Sequence, residues 1–115
     1  NMAKKGTCIN IAHIHGTNIM FEKIAAYPVN CINWHDRWVN PSLSEARKLS
    51  DKCFMGGINE KFLVKAKPED IFPHIQEAID DYSKTTGLII TPGCVADPNT
   101  PEINFYALRT AIERL

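Results

Sequence analysis

The chain has 115 residues, is 44% hydrophobic, and carries 13 basic and 13 acidic side chains for a formal net charge of zero. This size allows one domain with a real core. The balanced, scattered charge excludes a basic stripe of the kind that grips nucleic acid or an anionic membrane surface. No apolar run approaches the roughly 20 residues needed to cross a bilayer. The run that follows Lys4 and Lys5 is too short and too polar for a signal-peptide core, and Asn1 ahead of Met2 is set aside as an expression remnant. Cys8, Cys31, Cys53 and Cys94 make no C-x-x-C pair, so reduced thiols in a cytoplasm are expected.

In chain order, the first strand is expected over residues 7–14, and helical spacing follows over 18–26, with Ile19, Met20, Ile24 and Ala25 on overlapping faces. A second strand is expected over 28–33. Ser42, with Glu45 three residues on, is the sequence form of a capping box that opens a helix over 42–49. The third strand is expected over 52–56. A long helix over 68–82 has Glu69 and Asp70 at its start and Ile71, Ile75, Ala78, Ile79 and Tyr82 at three- and four-residue steps. With Asp70 as its N-cap, Pro73 falls in the first turn, where proline is tolerated. The fourth strand is expected over 87–91, and a last helix over 102–115. Cys8, Cys31 and Cys53 fall inside strand runs, where a free cysteine is a small buried hydrophobe.

Four strands alternating with four helices predict βαβ units and a parallel sheet. A closed (β/α)8 barrel needs eight such units, so four give either a small open sheet or half a barrel. Half a barrel has two unpaired edges and one bare sheet face, and therefore predicts self-association or completion by another chain.

The strand ends carry His13-Ile14-His15-Gly16, Ile32-Asn33-Trp34, Gly56-Gly57-Ile58-Asn59 and Thr91-Pro92-Gly93-Cys94. Lys67-Pro68-Glu69-Asp70-Ile71 and Thr100-Pro101-Glu102-Ile103-Asn104 complete the series. In this order they resemble the C-terminal half of the uroporphyrinogen decarboxylase superfamily. The resemblance implies four βα units of a TIM barrel and one of two chemistries. One is metal-free decarboxylation of uroporphyrinogen in porphyrin biosynthesis. The other is zinc-dependent methyl transfer from a methylated corrinoid on a partner protein to a small thiol such as coenzyme M. Decarboxylases tend to carry Gly-His-Gly where this chain has Gly93-Cys94-Val95. The methyltransferase branch carries Gly-Cys, with His-x-Cys after the first of these strands, where this chain reads His13-Ile14-His15.

The chemistry of these residues points the same way. Two histidines two apart on a strand face one side, at the C-terminal end where a (β/α)8 enzyme keeps its working groups. His13, His15 and Cys94 offer two imidazoles and a thiolate with a fourth position open, the donor pattern of a catalytic zinc site. His35 and Asp36 are candidates for a fourth ligand or a proton carrier; a solvated loop packed by Trp34 and Trp38 is the alternative. Asn59 either orients substrate at the barrel mouth or caps a helix. His74, inside a helical pattern, is expected on the surface. In the decarboxylases, substrate carboxylates are gripped largely from the N-terminal half of the barrel. A non-catalytic half-barrel that binds a partner or a tetrapyrrole therefore remains a third reading.

Overall fold

The structure, a computed structural model, describes residues 6–115; Asn1, Lys4 and Lys5 lie outside them. Four short strands, β1 (Ile11–His13), β2 (Cys31–Asn33), β3 (Cys53–Ile58) and β4 (Leu88–Pro92), form one sheet in the order β1-β2-β3-β4, every pair parallel. The helices among the described residues are α1 (Phe21–Ala25), α2 (Leu43–Leu49), α3 (Glu60–Lys65), α4 (Pro68–Tyr82) and α5 (Glu102–Glu113). Consecutive parallel neighbours joined by helices are the arrangement of half a (β/α)8 barrel.

Side-chain alternation divides the sheet into two faces. Ile32, Trp34, Phe54 and Ile58 point to the helices and are fully buried. Phe21, Trp34, Phe54 and Tyr82 meet edge to face, which adds to the area they bury. A second cluster joins Ile58 to Leu63, Ile71, Ile75 and Ala111 beneath α3, α4 and α5. On the opposite face the register places Ile11 beside Cys31 and Cys53, and His13 beside Asn33, Met55 and Ile89. Ile11 and Ile89 are exposed there. This is the face that would line the inside of a closed barrel.

The capping box at Ser42 forms as expected. Its hydroxyl accepts from the Glu45 N–H at 3.3 Å, and the Glu45 carboxylate accepts from the Ser42 N–H at 2.8 Å. Ser42→Ala is expected to cost about 1 kcal/mol, read as a lower urea midpoint with an unchanged m-value.

The long helix spans the expected residues but starts differently. Lys67 is its N-cap and Pro68 its first residue; the Asp70 carboxylate reaches back to the Lys67 N–H at 3.3 Å. Pro68, with its fixed φ, starts the helix, so Pro73 lies inside it, where it removes the bond to one carbonyl of the first turn. The first strand is shorter than 7–14 because only Ile11–His13 pair with β2. Cys8 is exposed ahead of that strand rather than packed within it. The first helix begins late, at Phe21, because Met20 adopts a left-handed φ of 45°. The short α3 has no clear signal in the sequence, since six residues carry too little periodicity to register.

Candidate metal centre

Gly16 follows His15 in a left-handed conformation, with φ of 103°, and turns the chain away immediately after the two histidines. At the end of β4, Gly93 lets two chain segments approach closely. A Cβ on Gly93 would stand 2.7 Å from the Trp34 carbonyl oxygen and 2.9 Å from the His35 Cα. The missing side chain lets β4 lie against the β2 end, which carries Cys94 to the histidines. Cys94 Sγ lies 3.7 Å from His13 Nε2 and 3.8 Å from His15 Nδ1, and these three atoms are all within 4.8 Å of one another.

Asn33 fixes how His13 is presented. Its amide nitrogen donates to the Met55 carbonyl at 2.8 Å and to the Pro92 carbonyl at 3.2 Å. The amide oxygen must therefore be the atom facing His13 Nδ1, at 2.5 Å. An amide oxygen only accepts, so His13 carries its proton on Nδ1 and turns the Nε2 lone pair toward Cys94. This is the outer support that metal-binding imidazoles generally have.

His35 and Asp36 are not in a solvated loop. They are 3% and 5% exposed, because Trp34 is drawn into the core with its Nε1 on the Pro41 carbonyl at 2.9 Å. His35 Nε2 lies 3.4 Å from His15 Nδ1, and its Nδ1 lies 2.7 Å from Glu60 Oε1. Trp38 packs against His35 with the rings tilted by 37° and their centroids 4.4 Å apart, and it donates to the same Glu60 oxygen at 3.1 Å. Lys61 Nζ sits 3.5 Å over the Trp38 ring.

Asp36 turns the other way. Its Oδ1 occupies the space a Gly56 side chain would fill, on the helix-facing side, and its Oδ2 accepts from the Gly57 N–H at 2.9 Å. With Arg37, Glu77 and Asp81 it borders a cavity of about 220 Å³. Burial pushes its carboxyl up to about 7, against the opposing pull of the Gly57 N–H and Arg37. Asp36 is thus removed from the group at Cys94 and does not reach it as a ligand.

Asn59 is the α3 N-cap, its Oδ1 accepting from the Lys61 and Phe62 N–H groups at 2.9 and 3.4 Å. That use of the oxygen favours the capping role over substrate orientation. His74 is not a free surface residue. It stacks on Phe62, accepts from the Asn59 N–H at 3.0 Å, and burial, aided by Arg37, lowers it to about 4. Cys31 and Cys53 face each other across β2 and β3, and burial with the Cys53 contact pushes Cys31 up to about 12. Such a thiol is an inert packing group. Glu60 was not singled out from the sequence; its only signal was an acid directly after the Asn59 cap.

The donor set and spacing suit zinc. Bonds of about 2.3 Å to sulfur and 2.0–2.1 Å to nitrogen, arranged tetrahedrally, put sulfur and nitrogen about 3.6 Å apart. The 3.7 and 3.8 Å gaps at Cys94 match that edge closely. Two imidazoles and a thiolate leave one position for an exchangeable fourth group.

No helix among the described residues is long and apolar enough to cross a membrane. No curated protein shows significant sequence similarity to the chain. The family model for uroporphyrinogen decarboxylase matches residues 2–115, nearly the whole length, in agreement with the half-barrel sheet. The chain belongs to the uroporphyrinogen decarboxylase family.

Proposed function

We propose that His13, His15 and Cys94 hold zinc and that the domain serves methyl transfer from a methylated corrinoid, carried on a partner protein, to a small thiol in the cytoplasm. The observation behind this reading is the convergence of His13 Nε2, His15 Nδ1 and Cys94 Sγ within 4.8 Å. Zinc, when bound there, would favour the thiolate form of a thiol in its fourth position and so make it nucleophilic at neutral pH.

The chain's own residues supply the frame. Asn33 holds His13 in the tautomer that offers Nε2. Gly93 lets Cys94 reach the pair. The buried His35 and its Trp38 neighbour wall one side of the site, while His13 and His15 themselves are exposed. Cys94 also speaks against decarboxylation, since a thiol here is a metal donor and not a group that grips substrate carboxylates.

The rest of the mouth has to come from elsewhere. Among the described residues β1 and β4 each have a single strand neighbour, and Ile11 and Ile89, on the face bearing His13, are exposed. In this proposal a second copy of the chain, or another chain, pairs with those edges and completes the barrel around a corrinoid or tetrapyrrole. A non-catalytic half-barrel is the reading left if no metal binds.

The test is metal content by mass spectrometry of the purified chain, with Cys94→Ala beside it. About one zinc per chain, reduced at least tenfold in the variant, is the expected result; no zinc after incubation with excess metal rejects the proposal.

A further inference from the structure

His13, His15 and Cys94 account for three donors, but the most thoroughly braced imidazole of the region is His35. Its ring is nearly fully buried and its two nitrogens are differently engaged. Nδ1 meets Glu60 Oε1 at 2.7 Å, a carboxyl oxygen that also accepts from Trp38 Nε1 at 3.1 Å. Glu60 is itself 8% exposed, and its second oxygen has no partner and sits 3.4 Å from where a Gly93 side chain would begin. A carboxyl is costly to bury with one oxygen idle. The fold nonetheless keeps it between the β2 and β4 ends, where it is placed to fix His35.

With Nδ1 donating to Glu60, the lone pair of His35 is on Nε2, and Nε2 lies 3.4 Å from His15 Nδ1. Two imidazole nitrogens on one tetrahedral zinc, each at 2.0–2.1 Å, stand about 3.4 Å apart. The His15–His35 pair already has that edge, just as Cys94 has the sulfur edges to His13 and His15. As the side chains stand, His35 touches the group through His15 alone, so an ion captured by the other three would draw its ring inward.

We propose that His35 is the fourth protein donor to this metal and that Glu60 is the positioning residue that presents it. This inference rests on the zinc reading above. It makes the resting centre a closed set of three imidazoles and one thiolate, in which a thiol substrate has to displace His35. The site would thereby select soft, strongly donating ligands such as thiols over water or carboxylates.

The direct test is the ring ¹⁵N spectrum of the full chain, titrated with zinc, with cobalt(II) absorption on the same protein. The expected result is that the His35 Nε2 resonance moves together with those of His13 Nε2 and His15 Nδ1. His35→Gln should weaken cobalt(II) binding about 10- to 100-fold and Glu60→Gln about tenfold. In both variants the thiolate-to-cobalt band from Cys94 should persist. The inference is overturned if the His13 and His15 nitrogens shift while His35 stays still, an outcome that leaves the three-residue site intact. A spectrum in which no ring moves overturns both readings. The wild-type titration decides the matter even if a variant folds poorly.

Discussion

A Gly93→Ala variant is expected to lose roughly 1–3 kcal/mol of stability and, with it, at least tenfold in zinc affinity. The added methyl would stand 2.7 Å from the Trp34 carbonyl oxygen and 2.9 Å from the His35 Cα. Both are backbone atoms, so no side-chain rotation relieves the contact. Trp34 cannot yield, because its ring is fully buried against Phe21 and Phe54 and its Nε1 is bonded to Pro41. The strand that moves is then β4, taking Cys94 away from His13 and His15. Urea unfolding and zinc competition with a chelator measure the two effects. A variant with native stability and native zinc affinity would show that the close approach at Gly93 does not set the position of Cys94.

The second large effect is a pair of opposed pH dependences that partly cancel in the native chain. Burial raises Asp36 from 3.8 to about 7, so the folded state keeps a proton that the unfolded chain releases. The contribution is present below the unfolded value and lost as pH rises through the folded one, a loss of about 4 kcal/mol at 1.36 kcal/mol per unit. His74 has the opposite sign. Burial and Arg37 lower it from 6.5 to about 4, so the unfolded chain binds the extra proton. Between those values stability rises with pH; the ring is only partly buried, so solvent screening holds the rise below the roughly 3 kcal/mol that the full shift would give.

Wild type should therefore show a shallower change between pH 4 and 6.5 than His74→Gln. Asp36→Asn should expose the His74 rise, and His74→Gln, which keeps an acceptor for the Asn59 N–H, should expose the Asp36 fall. Urea unfolding across this range, with chelator present to remove any metal linkage, distinguishes the three proteins. Parallel profiles would rule out this assignment of the two groups.

Much of the architecture is legible in the amino-acid sequence. The three- and four-residue steps of Ile71, Ile75, Ala78 and Tyr82 specify a helix with one buried face, and all four are buried. Short apolar runs between such helices specify a parallel sheet, because a helix between two strands returns the chain to the same end. The pairing of Ser42 with Glu45 was equally readable, since a capping box is a local bond between residues three apart. The element ends were less so. Whether Thr7 or Ile11 begins β1 depends on how far β2 runs beside it, and Lys67 rather than Asp70 caps α4 because an acid at the third position can reach back to the cap.

At the site, the sequence by itself determined which residue types meet. His13 and His15 stand two apart at the end of β1 and Cys94 follows Gly93 at the end of β4, so parallel strands bring them to the same end of the sheet although β1 and β4 are its two edges. The tertiary structure decided everything that depends on packing between distant segments. Asp36 and His35 are neighbours in sequence, yet Asp36 lies over Gly56 on the helix side while His35 turns to His15. Glu60 is 25 residues from His35 and acquires its role only through the fold. Asn33 gained its role because two carbonyls, from Met55 and Pro92, consume its donors and leave the oxygen for His13. Sequence spacing sets the direction of a side chain within its own element. What that side chain then touches is decided by which other elements are packed beside it, and by the hydrogen-bonding capacity those neighbours have left.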